Sequence, residues 1–235
     1  MINIRDNIDE YMRELKHWLE AEKDTPIERM ADFFSARIDG YEEHMSIFFP
    51  AYDMLADALP QRTQTLLDIG CGTGLELERI FARLPDIRVT GIDLSQCMLN
   101  KLRKKFPAKA MNLICADYFT EKFPGEYDAA ISFETLHHFK ADKKLTLFKK
   151  LHLALKQGGV YIQCDYIACC DEEERILAIE AQRKREAAGI AEDVFVHFDT
   201  PFTAEHELSL LHEAGFRNAR LADCASGVAM IIAKK

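Results

Sequence analysis

Three glycines at alternate positions, Gly70, Gly72 and Gly74, follow a short apolar run and stand just before a stretch with helical spacing. Glycine reaches positive φ angles and carries no side chain, so such a loop lets a ligand approach the backbone closely. The first turn of the following helix adds unpaired N–H groups and the positive end of a dipole. The pattern predicts a binding loop for a carboxylate or a phosphate.

The spacing of these glycines does not fit a nicotinamide dinucleotide. Counted from Gly70, the fingerprint G-x-G-x-x-G/A needs glycine or alanine at position 75, where this chain has Leu75. Asp68 precedes the loop by two residues, and its carboxylate would repel a pyrophosphate but attract an ammonium group. A nicotinamide dehydrogenase is therefore the weakest of the functions that we consider.

Two further acids follow the next two strand-like segments. Asp93 lies at the end of the second, where a carboxylate can accept hydrogen bonds from ribose hydroxyls. Asp117 ends the third, and an acid there can accept a hydrogen bond from the exocyclic amine of adenine. Ligands of open α/β sheets bind at the carboxyl ends of the strands, so we expect these acids and the glycine loop to act together.

The elements that must position these residues alternate along the chain. Segments whose apolar residues recur at helical spacing separate short strand-like runs at 65–69, 88–93, 111–117, 127–133 and 160–168. This alternation predicts βαβ units and a parallel sheet, while two strand-like segments near the end predict an antiparallel finish. Residues 1–60 have helical spacing, and segment 167–202 is longer than a minimal crossover, which predicts a lid.

Composition limits the classes of partner. The formal net charge is −9, and the lysine and arginine clusters are short, which disfavours nucleic acid. The seven cysteines form no CxxC pair and no zinc-binding spacing, so we expect free thiols, a reducing cytoplasm and no metal. No apolar segment has the ~20 residues of a membrane span, and the N-terminus lacks the apolar region of a signal peptide.

The segments LLDIGCGTG, VTGIDLS, ICADYF, YDAAISFETLHHF and LKQGGVYI resemble, in order and spacing, the motifs of class I S-adenosylmethionine-dependent methyltransferases. The resemblance is specific over roughly residues 60–166. It implies an α/β, Rossmann-like sheet of seven strands in the order 3-2-1-4-5-7-6, with strand 7 antiparallel and helices on both faces. We expect an N-terminal helical cap at 1–60 and a methyltransferase domain at 61–235 that contains the lid-like insertion.

The resemblance also implies a role for each matching residue. Asp68 and the glycine loop would surround the methionine part of S-adenosylmethionine, Asp93 would hold the ribose, and Asp117 would face the adenine amine. The predicted cofactor-binding set is Arg37, Asp68, Gly70, Cys71, Gly72, Gly74, Asp93, Leu94, Met98, Ala116, Asp117, Tyr118, Ser132 and Phe133. Within it, the fork of Arg37 suits the methionine carboxylate.

The chemistry of methyl transfer points to residues after the fourth strand. Glu134, His137 and His138 would lie near the methyl group, where a histidine with a near-neutral pKa can act as a base. Tyr41 could contact the sulfonium or the substrate. The NPPY-type tetrapeptide of amino-directed nucleic-acid methyltransferases is absent, and the comparable place reads SFET.

The predicted function is methyl transfer from S-adenosylmethionine to a small molecule by in-line displacement, with S-adenosylhomocysteine as product. The alternative is a non-catalytic protein that binds S-adenosylmethionine or S-adenosylhomocysteine, and binding without turnover on any acceptor would favour it. The acceptor atom remains open, and so does the choice between a monomer and a homodimer.

Overall fold

The computed structural model describes residues 2, 4–37, 40–192 and 194–235. The strands are β1 (Glu28–Arg29), β2 (Thr65–Ile69), β3 (Arg88–Asp93), β4 (Met111–Cys115), β5 (Tyr127–Phe133), β6 (Leu155–Asp165), β7 (Val196–His197), β8 (Arg217–Ala225) and β9 (Val228–Lys234). The helices are α1 (Ile8–Ala21), α2 (Met30–Arg37), α3 (Tyr41–His44), α4 (Phe49–Ala58), α5 (Leu75–Arg83), α6 (Gln96–Lys105), α7 (Ala141–Ala154), α8 (Asp171–Ala188) and α9 (Ala204–Glu213), and a 3-10 turn covers Met45–Phe48.

Seven of these strands form one sheet in the order β4-β3-β2-β5-β6-β9-β8. Strand β9 is antiparallel to both of its neighbours, and the other neighbouring pairs are parallel. Numbered along this sheet alone, the order is 3-2-1-4-5-7-6 with strand 7 antiparallel. The predicted fold is therefore confirmed.

Two apolar clusters cover the faces of the sheet, because successive side chains of a strand point to opposite sides. On one face, Leu66 and Ile131 belong to a cluster that also contains Leu55 of α4 and Leu77 of α5. On the other face, the cluster includes Phe148 of α7 together with Leu67, Tyr161 and Leu211. Helix α4 thus packs into the same core as the sheet.

Strand β6 begins earlier than the apolar run at 160–168 predicts. Helix α7 ends at Ala154, and the strand starts directly at Leu155 and runs through the two glycines to Asp165. The residues between 155 and 160 are polar or glycine, so they carry no alternation that would mark them as a strand.

A second sheet of two short strands was not predicted from the sequence. Strands β1 and β7 pair antiparallel, with Glu28 opposite His197 and Arg29 opposite Val196. Next to them, the backbone N–H of Met30 donates to the carbonyl oxygen of Phe195 at 3.1 Å. We call residues 28–30 and 195–197 the strap, because they join the N-terminal helices to the 167–202 insertion. Among the described residues, no helix is both long and apolar enough to span a membrane.

Candidate active site

The glycine loop lies at the carboxyl end of β2 and lines a cavity of about 370 Å³. Gly70, Gly72 and Gly74 have φ angles of 72°, 47° and 68°. A Cβ on Gly70 would lie 2.5 Å from Oγ1 of Thr135, and one on Gly74 would lie 2.4 Å from Cδ1 of Leu102. A Cβ on Gly72 would meet nothing closer than the Tyr41 hydroxyl at 3.7 Å, so this glycine leaves open space on the cavity side.

Asp93 fixes the loop from the end of β3. One carboxylate oxygen accepts a hydrogen bond from the N–H of Gly72 at 2.9 Å, and the other accepts from the N–H of Ser95 at 2.8 Å. Ser95 in turn caps helix α6, since its hydroxyl accepts from the N–H of Met98 at 3.3 Å. Burial raises the pKa of Asp93, and the two N–H groups oppose that shift. Each carboxylate oxygen retains a second lone pair that a ligand hydroxyl can use.

Aromatic side chains form the wall beside Asp117. Its carboxylate accepts a hydrogen bond from the N–H of Phe119 at 2.8 Å. The ring centroid of Phe119 lies 4.7 Å from that of Phe139 and 5.8 Å from that of Phe195. All four residues line the cavity, so one side of it is apolar and suited to a flat ring, with a carboxylate at its rim.

Two buried carboxyl groups lie next to the loop. Asp68 and Glu76 hydrogen bond to each other, and burial together with their mutual proximity raises the pKa of Asp68 well above its ordinary value. Asp68 Oδ2 and Glu76 Oε1 find no hydrogen-bond partner among the described residues. A buried acceptor without a donor is costly, so this pair suits a ligand that brings N–H groups, such as an ammonium.

A second cavity, of about 610 Å³, adjoins the first, and Tyr41 and Glu134 line both. Four of the eight histidines line it: His44, His137, His138 and His197. Asp199 and Arg37 complete its polar lining. This concentration of imidazole groups at one cavity is the most unusual chemical feature of the chain.

The histidine cluster is held by carboxylates. Nδ1 of His137 lies 2.5 Å from Oδ1 of Asp165, whose other oxygen accepts from the N–H of Leu136 at 3.0 Å. On the opposite side of the ring, Nε2 of His137 lies 3.5 Å from Oδ1 of Asp199. Nδ1 of His138 lies 3.3 Å from the same oxygen.

These contacts move the histidine pKa values in opposite directions. Burial alone would lower the pKa of His137, but the charges of Asp165 and Asp199 outweigh it and raise that pKa well above its ordinary value. Burial and the neighbouring His137 lower the pKa of His138 to about 3. Neither histidine therefore has the near-neutral pKa that a general base would use.

Residues 66–159 match the family model described as a methyltransferase domain. This part of the chain is a methyltransferase domain. Together with the strand order, the match confirms the family resemblance that the motifs predicted.

Among curated relatives, the chain is similar to an uncharacterized methyltransferase of Mycobacterium tuberculosis, with 36% identity over 46% of this chain and 54% of that protein. It is also similar to a carboxy-S-adenosyl-L-methionine synthase of Campylobacter concisus, with 27% identity over 82% of this chain and 89% of that protein. The chain spans about half the length of the mycobacterial relative that it matches.

A solved structure shows the same fold. Human N-acetylserotonin methyltransferase, in complex with S-adenosylmethionine, superposes with a TM-score of 0.62 at 20% identity, over 84% of this chain and 54% of that one. At this identity the likeness concerns the fold of the methyltransferase domain.

Eight of the predicted cofactor-binding residues line the first cavity of the methyltransferase domain: Gly70, Gly72, Asp93, Leu94, Met98, Asp117, Tyr118 and Phe133. Tyr41, predicted as catalytic, lines it as well, and His137 and His138 line the second cavity.

Six other predicted residues are not among the lining residues of the first cavity: Arg37, Asp68, Cys71, Gly74, Ala116 and Ser132. The hydroxyl of Ser132 hydrogen bonds to that of Tyr161 at 2.7 Å inside the core. The guanidinium of Arg37 pairs with Glu28 at 2.8 Å and lies over the ring of Phe33, beside the second cavity. Cys71 is buried against Gly91.

Glu134, which the sequence places near the methyl group, lines both cavities. It has a φ of 46°, a left-handed conformation that is uncommon for a residue with a side chain. Burial raises its pKa to about 8, against the opposing charge of His137. Phe195 and Asp199 come from the 167–202 insertion, whose sequence carries no motif that assigns them to either cavity.

Proposed function

We propose that the chain is an S-adenosylmethionine-dependent methyltransferase that acts on a small molecule. The observation that carries this proposal is the pair of adjoining cavities that share Tyr41 and Glu134. One has the glycine loop, two strand-end acids and an aromatic wall, and the other has a cluster of polar side chains. A donor and an acceptor bound in the two would meet at the shared residues.

The first cavity fits S-adenosylmethionine in its chemistry. Its volume of about 370 Å³ lies in the range of small-ligand sites. Asp93 would accept hydrogen bonds from the ribose, and Asp117 with the rings of Phe119 and Phe139 would hold the adenine. Asp68 and Glu76 are not lining residues of this cavity, but their unpaired buried oxygens lie next to the glycine loop and would suit the ammonium of the methionine part. When bound, the cofactor supplies an activated methyl group on a sulfonium that leaves as a thioether.

The protein would contribute position and exclusion of water, because an in-line displacement depends on alignment. The insertion is held over the second cavity at His137, whose carbonyl oxygen accepts from the N–H of Thr200 at 2.7 Å and from its hydroxyl at 3.1 Å. A concave cavity of about 610 Å³ beside this contact supports a small acceptor rather than a macromolecule.

Calorimetry with S-adenosylhomocysteine tests the cofactor site. Asp93→Ala should weaken binding by about 1–3 kcal/mol, since it removes a charged acceptor. Asp93→Asn keeps one acceptor oxygen and should lose less. Asp86→Asn changes an exposed acid before the start of β3, at the opposite edge of the sheet, and serves as the control. Equal affinity in the folded Asp93→Ala variant would remove the ribose assignment.

Transfer is tested with S-adenosylmethionine labelled in its methyl group and a panel of hydroxyl, amine and thiol acceptors. Labelled product that depends on the acceptor supports an enzyme. Tight binding with no labelled product on any acceptor would favour the non-catalytic alternative.

A second candidate function is modification of the cofactor itself. The similarity to a carboxy-S-adenosyl-L-methionine synthase covers 82% of this chain, more than the mycobacterial match does. Mass spectrometry of the cofactor after incubation separates the two functions. A heavier cofactor would support modification, and demethylated cofactor with a methylated acceptor would support transfer.

A further inference from the structure

We propose that the second cavity binds a divalent transition-metal ion, such as Zn²⁺, through Nε2 of His137, Nδ1 of His138 and a carboxylate oxygen of Asp199. The cysteine spacing predicts no metal, and it carries no information about these histidines. Two of these ligands are neighbours in the sequence and the third, Asp199, lies 61 residues after His138, so no local motif signals all three.

The distances fit a common ion. In a tetrahedral zinc site with bonds of about 2.0–2.1 Å, neighbouring ligand atoms lie about 3.3–3.4 Å apart. The two nitrogens lie 3.5 and 3.3 Å from Oδ1 of Asp199. One ligand atom from each of the three residues lies within 4.8 Å of the others. Two of the three distances between ligand atoms are therefore close to the edge of such a tetrahedron.

Asp165 places His137 for this role. Its carboxylate holds Nδ1 at 2.5 Å, which turns the lone pair of Nε2 toward Asp199. Metal-bound histidines usually have such a carboxylate partner on the other ring nitrogen. The same distance argues against a metal between His137 and Asp165, since two ligands of one ion cannot approach so closely. A second group of possible ligands, Glu134, His137 and Asp165, is excluded on that ground.

The supporting segments are tied to each other around the cluster. Thr200 donates to the carbonyl oxygen of His137, and strap residue His197 packs with its ring centroid 5.0 Å from that of His138. Nδ1 of His138 also lies 3.3 Å from the carbonyl oxygen of Phe198. Metal binding must replace that contact, so zinc would compete with a hydrogen bond inside the lid.

Three protein ligands leave a fourth position on the ion, as in catalytic zinc sites. This part of the inference rests on the proposed function. An acceptor hydroxyl or thiol bound there would ionise at a lower pH than in water, and its proton would leave to solvent. The acceptor class is thus a molecule with an ionisable oxygen or sulfur that can also coordinate the ion.

The test is zinc binding by protein first treated with a chelator, followed by competition with a chelating dye. Wild-type protein should bind one equivalent of zinc tightly. The control His212→Gln, which changes an exposed histidine of α9, should do the same. His138→Gln and Asp199→Asn should lose that equivalent. Asp165→Asn should weaken it about 10–100-fold, because it removes the partner of a ligand. Circular dichroism establishes that each variant is folded.

Two results would overturn the inference. Zinc bound equally by all variants would place it on thiols, since seven free cysteines are present. No tightly bound zinc in the wild type would mean that the cluster is only a protonated His137 between two carboxylates.

S-adenosylhomocysteine affinity is measured on the same samples. If the wild type binds zinc but not S-adenosylhomocysteine, the result counts against the proposed function and still supports the metal site.

Discussion

At the scale of single residues, the three glycines of the loop have different roles although they share positive φ angles. Gly74 begins helix α5 in a left-handed conformation, and any Cβ there would collide with Leu102. Gly72 faces the cavity and has room for a Cβ. Gly74 is therefore needed for packing, and Gly72 keeps free the space that a ligand would use.

Alanine at these two glycines should separate the two roles. Gly74→Ala should lower the free energy of unfolding by about 2–4 kcal/mol, since left-handed strain and overpacking add. Gly72→Ala should cost only about 1–2 kcal/mol in strain but weaken S-adenosylhomocysteine binding. Urea unfolding and calorimetry on both variants measure these effects. The assignment fails if Gly72→Ala binds as tightly as the wild type.

At the scale of elements, helices α7 and α9 share a fully buried ion pair between Lys144 and Glu207. The Lys144 ammonium also lies 4.3 Å from the ring centroid of Phe202. Burial raises the pKa of Glu207 even though Lys144 opposes the shift. The pair fixes how the two helices meet, but its desolvation offsets much of the attraction.

Removing one partner should therefore destabilise the protein more than removing both. Lys144→Met alone should lower the free energy of unfolding by about 3–5 kcal/mol, because it leaves a buried carboxylate without a partner. The double variant Lys144→Met, Glu207→Leu should recover most of this loss. Urea unfolding of the three proteins measures the coupling. Additive effects of the two substitutions would contradict the prediction.

Strands β2, β5 and β6 are joined at their amino ends by Asp128. Burial alone would raise its pKa, but Lys156 at 2.8 Å and the N–H groups of Gln64 and Thr65, both at 2.9 Å, lower it to about 2. The folded-state pKa is below the unfolded value of about 3.9. The stabilisation is thus complete above that value and is lost as the pH falls through about 2.

Asp128→Asn should lower the free energy of unfolding at pH 7 by about 1 kcal/mol, an amount reduced by solvent screening of a partly exposed pair. The difference from the wild type should shrink between about pH 4 and pH 2. Denaturant unfolding across this range measures it. A difference that stays constant down to pH 2 would mean that the substitution acts through packing.

At the scale of the whole molecule, the strap connects both cavities to the insertion. Met30 and Phe195 line the first cavity, and His197 lines the second. A ligand in either cavity would therefore favour the paired arrangement of these segments.

Hydrogen exchange should detect this coupling. S-adenosylhomocysteine should slow the exchange of the Met30 and Thr200 amides, because both donate across the closed lid. The β8–β9 hairpin, at the far edge of the sheet, should exchange at an unchanged rate and serves as the internal control. Protection confined to the glycine loop would show that the strap does not respond to the ligand.

The sequence could predict part of the fold and part of the candidate site. The strands and the three acids at 68, 93 and 117 follow from apolar runs and from the edge where parallel strands end. The order of the strands in the sheet follows only from the resemblance to the methyltransferase family. The strap could not be predicted, since two-residue strands have no periodicity. Phe195 and Asp199 reach the cavities only through the folded insertion, and the buried position of Ser132 depends on which face its side chain takes.

The strap has a kinetic consequence. Residues on both of its sides line the first cavity, so we expect separation of β1 and β7 to widen the path by which a ligand held there exchanges with solvent. We expect the acceptor product to leave the second cavity before the spent donor leaves the first. We expect ordered product release, with a first turnover faster than the later ones. Separation of the four paired residues of β1 and β7 would then limit the steady-state rate.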